Sequence, residues 1–237
     1  MNIWREDLLT RLNAAHGATE VFSVIELESK ALGFDHLAYG VRFRYPLSNP
    51  RIVLLNNYPE QWQTLYAERG YINNDPVVMR GMVSQLPFVW SEHYSRASDT
   101  FWEEARQFGI ANGWSQSATD CRGRQSLVSF VRGAECLSSA ELFANGARLS
   151  FLALAGHEYL CHQLAREHHA QDLGELTARE VEVLRWTAEG KTAGEISILM
   201  GISERTVNFH TANTMAKLNC ANKTATAVKA AILGLLD

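Results

Sequence analysis

The side chains of this chain most able to ligate a metal or attack a carbonyl are four cysteines and eight histidines. Cys121, Cys136, Cys161 and Cys220 contain no Cys-x-x-Cys pair, so their spacing supports neither a zinc site nor a redox motif, and reduced thiols are expected. His157, His162, His168 and His169 crowd one stretch, and no carboxylate or cysteine is expected to be placed to complete a site with them. Helix-surface or linker histidines are the expectation. A Gly-x-Ser-x-Gly nucleophile elbow and a metal-spaced His/Asp set are both missing. The chain is therefore expected to be no enzyme and to need no metal or cofactor. What remains is recognition by shape, apolar surface and hydrogen bonds.

Recognition needs a scaffold, and 237 residues with 46% hydrophobic and 20% charged side chains can bury one large core or two. No apolar run reaches the roughly 18 residues that span a bilayer. The opening Met1, Asn2, Ile3, Trp4, Arg5, Glu6, Asp7 carries acids where a secretion signal is positive, so a cytoplasmic location without membrane contact is expected. The net charge of -4 lies entirely in the first part, because residues 173–237 hold seven Lys/Arg and seven Asp/Glu. Charge alone gives no argument for nucleic acid. Five of the six tryptophans fall in the first half, whereas the last 65 residues are rich in Ala, Thr, Leu and Ile. The polar stretch from Arg166 to Gly174 between these compositions predicts a linker, with domains at 1–165 and 175–237.

In the first domain, apolar spacing predicts helices over Glu20–Leu32, Pro59–Arg69, Phe101–Asn112 and Ser138–His168. Runs rich in β-branched or aromatic residues predict strands over Phe34–Phe43, Arg51–Asn56, Trp114–Cys121 and Gln125–Val131. The tight Asp120–Arg124 connection favours a hairpin over a crossover. The expected fold class is α+β: an α-β-α sandwich around an antiparallel sheet, followed by an all-α domain of four helices. In that second domain Thr177 with Glu180 forms a capping box, Leu176 and Val181 a hydrophobic staple, and Gly190 the stop. Thr192 with Glu195 repeats the box for a helix expected to bury Ile196, Leu199 and Met200. Ser203 caps a third helix with Ile202 and Val207 as staple and Leu218 near its end. Asn222 caps a fourth, expected to present Val228, Ala231, Ile232 and Leu235 on one side. The short turn Gly201, Ile202, Ser203 makes a helix-turn-helix, which can offer an outer helix face to a major groove and helix-terminal amides to phosphates.

From Leu176 to Leu236 the chain resembles the DNA-binding domain of LuxR-type transcription regulators. The runs Leu-Thr-Ala-Arg-Glu-Val-Glu-Val-Leu, Gly-Lys-Thr, Ser-Glu-Arg-Thr-Val-Asn-Phe-His and Lys-Leu-Asn follow that family's pattern, with Glu180, Leu184 and Gly190 on its hallmark positions. Such domains serve response regulators and quorum-sensing receptors alike. The first half shows no early aspartate cluster of a receiver, whereas Trp62, Tyr66, Asp75, Pro76, Trp90 and Gly113 stand in the order and close to the spacing of the acyl-homoserine-lactone-binding family.

The resemblance implies a small-molecule ligand, an N-acyl homoserine lactone, with one amide N–H, two carbonyls near its ring and an apolar tail. Asp75 would accept the amide N–H, Trp62 would donate to the lactone carbonyl, and Tyr66 and Ser129 would donate to the acyl carbonyl. Trp90 and Phe101 would be walls, and Tyr58 a further hydroxyl. Taken singly these residues have plainer roles: Trp62 and Tyr66 as core, Asp75 and Pro76 as a turn, Gly113 as the end of the helix through Asn112. In the second domain the resemblance puts Asn208, Phe209 and Ala212 toward bases and Arg205, Thr206 and Lys217 toward phosphate, with Lys191 and Ser203 completing the DNA-binding set. Ala212 offers only methyl contact or shape readout. Val207 and Leu218 point inward and His210 lies on the packed side. Double-stranded DNA with inverted-repeat half-sites implies a homodimer, with RNA polymerase as a partner if the protein activates. The helix from Ser138, with Leu149, Leu152, Leu154 and Leu160, is the expected dimer element unless those leucines belong to the sensor core. The alternatives are an orphan receptor of the same fold for a non-lactone compound, a regulator acting through mixed dimers, and a lactone-degrading enzyme.

Overall fold

The computed structural model describes residues 2–90, 99–120, 123–133, 135–169 and 175–236. The chain divides into two compact units, Met1–Phe43 with Arg51–Leu164, and Arg44–Pro50 with Ala165–Asp237.

The first unit runs α1 (Asn2–Ala14), α2 (Ala18–Ala31), β1 (His36–Phe43), β2 (Arg51–Asn56), α3 (Glu60–Glu68), α4 (Pro76–Val83), β3 (Phe88–Val89), α5 (Asp99–Gln107), β4 (Asn112–Thr119), β5 (Gln125–Arg132) and α6 (Ser139–His169). Its sheet has the order β2-β1-β5-β4-β3 with every neighbouring pair antiparallel. Strand side chains alternate between faces, so the register decides what each face carries. Tyr39 is opposite Val128, which is opposite Gln116, and Leu37 is opposite Phe130, which is opposite Trp114. This face lies against α2 and α6. Gly156 of α6 leaves room for Ile25 of α2, since a Cβ there would stand 2.9 Å from the isoleucine methyl. The other face pairs Gly113 with Val131, Ser115 with Ser129 and Ser117 with Leu127, and looks toward α3, α4 and α5. Gly81 brings α4 close: Ser117 Oγ donates to its carbonyl at 2.6 Å, and a Cβ would meet Leu127 at 2.8 Å.

Several expectations need correction. Helix α5 stops at Gln107 and Gly109 takes the left-handed backbone, φ 76°, so Gly113 is no helix stop but the second residue of β4. Asp75 and Pro76 do not merely turn the chain, because they start α4. Helix α1 and the short β3 were also unforeseen. Leu149, Leu152 and Leu160 of α6 are fully buried in the first unit, and of the leucines named as a dimer seam only Leu154 is half exposed. Helix α6 continues four residues into the expected linker, because Ala165 just before it is buried and Arg166 and Glu167 are good helix formers; residues 170–174 lie outside the described residues. His157 is buried rather than on a helix surface, and it lies with Cys161 and Asp120. Cys136, Cys161 and Cys220 are free thiols.

The second unit contains α7 (Ala178–Ala188), α8 (Ala193–Met200), α9 (Glu204–Lys217) and α10 (Lys223–Ile232). Thr177 with Glu180 and Thr192 with Glu195 both form reciprocal capping boxes, Ser203 accepts from the Thr206 amide, and Asn222 from the Ala225 amide. Gly201 closes α8 with φ 63°. Ile196 anchors α8 among Val183, Val207, Met200 and Ile202, whereas Leu199, expected inside, is 52% exposed. Helix α10 is turned from its expected face: Thr226, Ala227, Lys229 and Ala230 are buried while Val228 and Ala231 are exposed. The cause is Lys229, whose ammonium donates to the Leu218 carbonyl at 2.8 Å at the end of α9 and draws its own stem inward.

One buried carboxylate joins α1 to α2. Glu28 accepts from Trp4 Nε1 at 2.5 Å and pairs with the Arg11 guanidinium. Burial pushes its carboxyl up, but Trp4 and Arg11 outweigh burial and hold it below the ordinary glutamate value of 4.5. Glu28→Ala is expected to cost about 1–2 kcal/mol near neutral pH, since solvent reaching Arg11 screens the pair. A lowered folded-state value means that this stabilisation is present above 4.5 and fades as pH falls below it. Urea unfolding of both forms at neutral and acid pH checks this: the gap should narrow in acid, and an unchanged gap would refute the electrostatic role.

Candidate functional site

On the β4–β5 face opposite α2 and α6, aromatic rings from four segments close on one another. Helix α3 places Trp62 and Tyr66 one turn apart on the same side, and the turn Tyr71–Asn73 adds Tyr71. Trp62 stacks on Tyr71 with centroids 6.0 Å apart and meets Phe101 of α5 edge-on at 5.7 Å. Trp90, just past β3, meets Trp102 at 5.5 Å. Val77, Ala105, Ile110 and Val131 complete the buried cluster, with Tyr58, Leu65, Phe88, Phe108 and Leu127 packed around it.

Polar atoms enter this apolar lining at two places. The first is Asp75, buried at the start of α4, where Pro76 occupies the first helical position. Its Oδ1 accepts from the Val77 amide at 2.7 Å and the Val78 amide at 3.3 Å, and its Oδ2 accepts from the Tyr66 hydroxyl at 2.9 Å. Burial raises the carboxyl above the ordinary aspartate value, and the Tyr66 and amide hydrogen bonds offset only part of that rise. Tyr58 and Tyr66 are both raised, by burial first and then by the Asp75 charge, so their hydroxyls stay protonated donors. The second place is the sheet: Trp90 Nε1 donates to Ser115 Oγ at 2.8 Å, and Ser115 Oγ shares a hydrogen with Ser129 Oγ at 2.7 Å. Only one of the two serine protons can lie between the oxygens, so the other is available to a third group.

Tyr58, Trp62, Tyr66, Asp75, Trp90, Phe101 and Ser129 are thus brought to one face of the sheet. The hydroxyl of Tyr66 is committed to Asp75, which takes it from the pairing expected for it with a carbonyl. Ser115, Tyr71 and Trp102 belong to the same place and were not foreseen. Ser115 could have been found from the hairpin, because a strand partner of Ser129 faces the same way.

In the second unit, Asn208, Phe209 and Ala212 lie on one exposed face of α9 with Arg205, while Val207, Thr214 and Leu218 are buried and His210 is half buried. Lys191 is exposed just after α7. Ser203 and Thr206 bond each other at the start of α9, 2.9 Å between hydroxyl oxygens. Lys217 does not extend freely: its ammonium donates to the buried Glu180 at 2.8 Å and ties α9 to α7. Burial raises the Glu180 carboxyl, but Lys217 and Thr177 more than compensate and hold it low.

The segments that hold this aromatic face and the capped helix-turn-helix match two known families. Residues 17–160 match the autoinducer binding domain, and residues 174–230 match the luxR family of bacterial regulatory proteins. The chain belongs to the LuxR family of quorum-sensing regulators. This LuxR-family chain is 40% identical over the full length of both proteins to the transcriptional activator protein AnoR of Acinetobacter nosocomialis. It is 35% identical to the quorum-sensing regulator RhlR of Pseudomonas aeruginosa, covering 99% of this chain and 97% of that one. Its structure is similar to that of Escherichia coli SdiA, with a TM-score of 0.81 at 33% identity over 99% of this chain and 98% of the other. It is likewise similar to SdiA in complex with octanoyl-rac-glycerol, with a TM-score of 0.84 at 32% identity over 98% and 95%. The α+β fold class and the assignment as a ligand-responsive DNA-binding transcriptional regulator follow. Among the described residues no helix is long and apolar enough to cross a membrane.

Gly113 supplies a test of the aromatic face. A Cβ at this position would lie 2.5 Å from the Trp90 indole, whose backbone amide donates to the Gly113 carbonyl at 2.8 Å. Gly113→Ala is expected to push the ring from Ser115 and to destabilise the first unit by about 1–3 kcal/mol through overpacking. Adding Trp90→Phe should recover part of that loss, which thermal melts of the single and double variants measure.

Proposed function

We propose that the aromatic face of the first unit binds an N-acyl homoserine lactone, and that a homodimer carries two copies of the second unit to an inverted-repeat promoter site. The protein works in the cytoplasm by binding rather than catalysis, with RNA polymerase as a further partner if it activates. The observation that carries the ligand reading is the buried Asp75 carboxylate among aromatic rings, an acceptor whose charge is incompletely compensated. A ligand amide N–H on that carboxylate would supply a charge-assisted hydrogen bond. Trp62, a donor only, suits the lactone carbonyl; the spare proton of the Ser115–Ser129 pair, or Tyr58, suits the acyl carbonyl; Trp90 and Phe101 wall the tail. A second reading has one observation in its favour: relative SdiA has been solved with octanoyl-rac-glycerol, an ester without an amide N–H.

The two readings separate at Asp75. Asp75→Asn removes the charge and should cost a lactone about 1.5–3 kcal/mol of affinity while leaving an acyl glycerol less affected. Titration of purified protein with both ligand types measures it, and equal losses would remove the amide from the recognition scheme. Asp75 also sets a pH dependence. Because the ligand N–H requires the charged carboxylate, binding should be constant well above the raised Asp75 value and weaken as pH falls through it, a fall that begins above the ordinary 3.8.

For the DNA face, Asn208→Ala is expected to relax base preference at one position of each half-site at about 1–3 kcal/mol, whereas Arg205→Ala should weaken every sequence and lower the salt slope by about one. Lys217→Ala is expected to differ from both, because it strands the buried Glu180 charge and destabilises the second unit by about 1–2 kcal/mol with the salt slope kept. Binding-site selection, salt titration and melting of the three variants distinguish them.

A further inference from the structure

The face of the sheet that carries no ligand residues holds a second cluster of chemistry-bearing side chains. Asp120 follows β4 at the hairpin to β5, and His157 and Cys161 lie one turn apart on α6. One donor atom from each of the three lies within 4.8 Å of the others. Cys161 Sγ stands 3.9 Å from Asp120 Oδ2. His157 and Cys161 are 3% and 1% exposed. The imidazole is held by one nitrogen, with Tyr39 Oη 3.3 Å from Nδ1, while its buried Nε2 has no hydrogen-bond partner among the described residues. An unpaired ring nitrogen in so dry a place costs free energy unless something fills its valence.

We propose that Asp120, His157 and Cys161 bind a zinc ion, a site separate from the ligand face and from the DNA-reading helix. The donor set selects the metal. A thiolate, an imidazole and a carboxylate suit zinc, whereas calcium and magnesium take oxygen alone. Zinc bonds of about 2.0–2.3 Å put tetrahedral donors roughly 3.3–3.8 Å apart, close to the observed Cys161–Asp120 separation. The surroundings resemble the outer partners that orient metal ligands. The phenol of Tyr39 fixes one imidazole nitrogen, and Arg124 holds the carboxylate through its amide on Oδ1 at 2.8 Å and its Nε on Oδ2 at 2.5 Å. Without metal, burial keeps the Cys161 thiol protonated, its value pushed up to about 11. Binding therefore forms the sulfur–zinc bond as the thiol proton passes to solvent, and the fourth position is left to water. The ion would cross-link the β4–β5 hairpin to α6.

The test uses the full-length protein stripped of metal with a chelator and titrated anaerobically with cobalt(II), a spectroscopic stand-in for zinc. One equivalent per chain should give a sulfur-to-cobalt charge-transfer band that zinc abolishes, and zinc should raise the melting temperature. Cys161→Ser should lose the band and the zinc-dependent rise, His157→Gln should lose the one-equivalent uptake, and Cys136→Ser and Cys220→Ser should keep all three. A wild-type protein that shows no band with cobalt in excess overturns the site, and this holds even if the site variants fail to fold. A band that persists in folded Cys161→Ser overturns it as well.

Discussion

A carboxylate taken out of water without a cation beside it must be satisfied by hydrogen bonds, and the aromatic side of the first unit is arranged around that requirement at Asp75. One oxygen caps α4 and so fixes where that helix begins; the other takes the Tyr66 hydroxyl and so fixes the rotation of α3. Once α3 is rotated in that way, Trp62 must lie one turn back along the same side, where it meets Tyr71 and Phe101. The same aspartate that a sequence reader assigns to a turn and that a ligand chemist assigns to an amide is therefore also a helix cap. These roles do not compete, because a carboxylate has lone pairs enough for all of them.

How legible each element was depends on how local its cause is. The four caps of the second unit act across three residues, and Thr177, Thr192, Ser203 and Asn222 each bond where their sequence context placed them. Strands β1, β2, β4 and β5 were visible from runs of β-branched and aromatic residues between turn formers. Helix α4 was hidden, since Val77, Val78 and Gly81 argue for a strand or a break, and only the Asp-Pro start and close packing on Ser117 and Leu127 make it helical. Two lysines show the limit from the other side. Lys217 reads as a phosphate contact and Lys229 is not singled out, yet both turn inward because Glu180 and the Leu218 carbonyl, 37 and 11 residues away, present acceptors. The trio of Asp120, His157 and Cys161 is of the same kind: the Asp120–Arg124 hairpin and the helix carrying the other two were both visible, but the packing of α6 on the sheet that brings them together was not.

Within the second unit some of the basic side chains are held by acceptors of the unit itself. Lys217 and Lys229 are spent on internal acceptors, and Arg185 donates to the Leu236 carbonyl. Arg179, Arg185, Lys191, Arg205 and Lys223 are exposed. With as many acids as bases, a single copy gains little general attraction to phosphate, which is the physical ground for the pairing of two copies proposed above.

Strand alternation in β4 and β5 gives the first unit a separation that selection can exploit. Residues 113, 115, 117, 127, 129 and 131 meet the aromatic face, while 114, 116, 118, 126, 128 and 130 meet α2 and α6. Odd positions can drift toward a new small molecule without disturbing the even ones that hold the helices. A combinatorial library confined to odd positions other than 113, where a side chain would meet Trp90, would therefore sample specificity without touching the set that holds α2 and α6, whereas one inserted residue in either strand would exchange the two sets at a stroke.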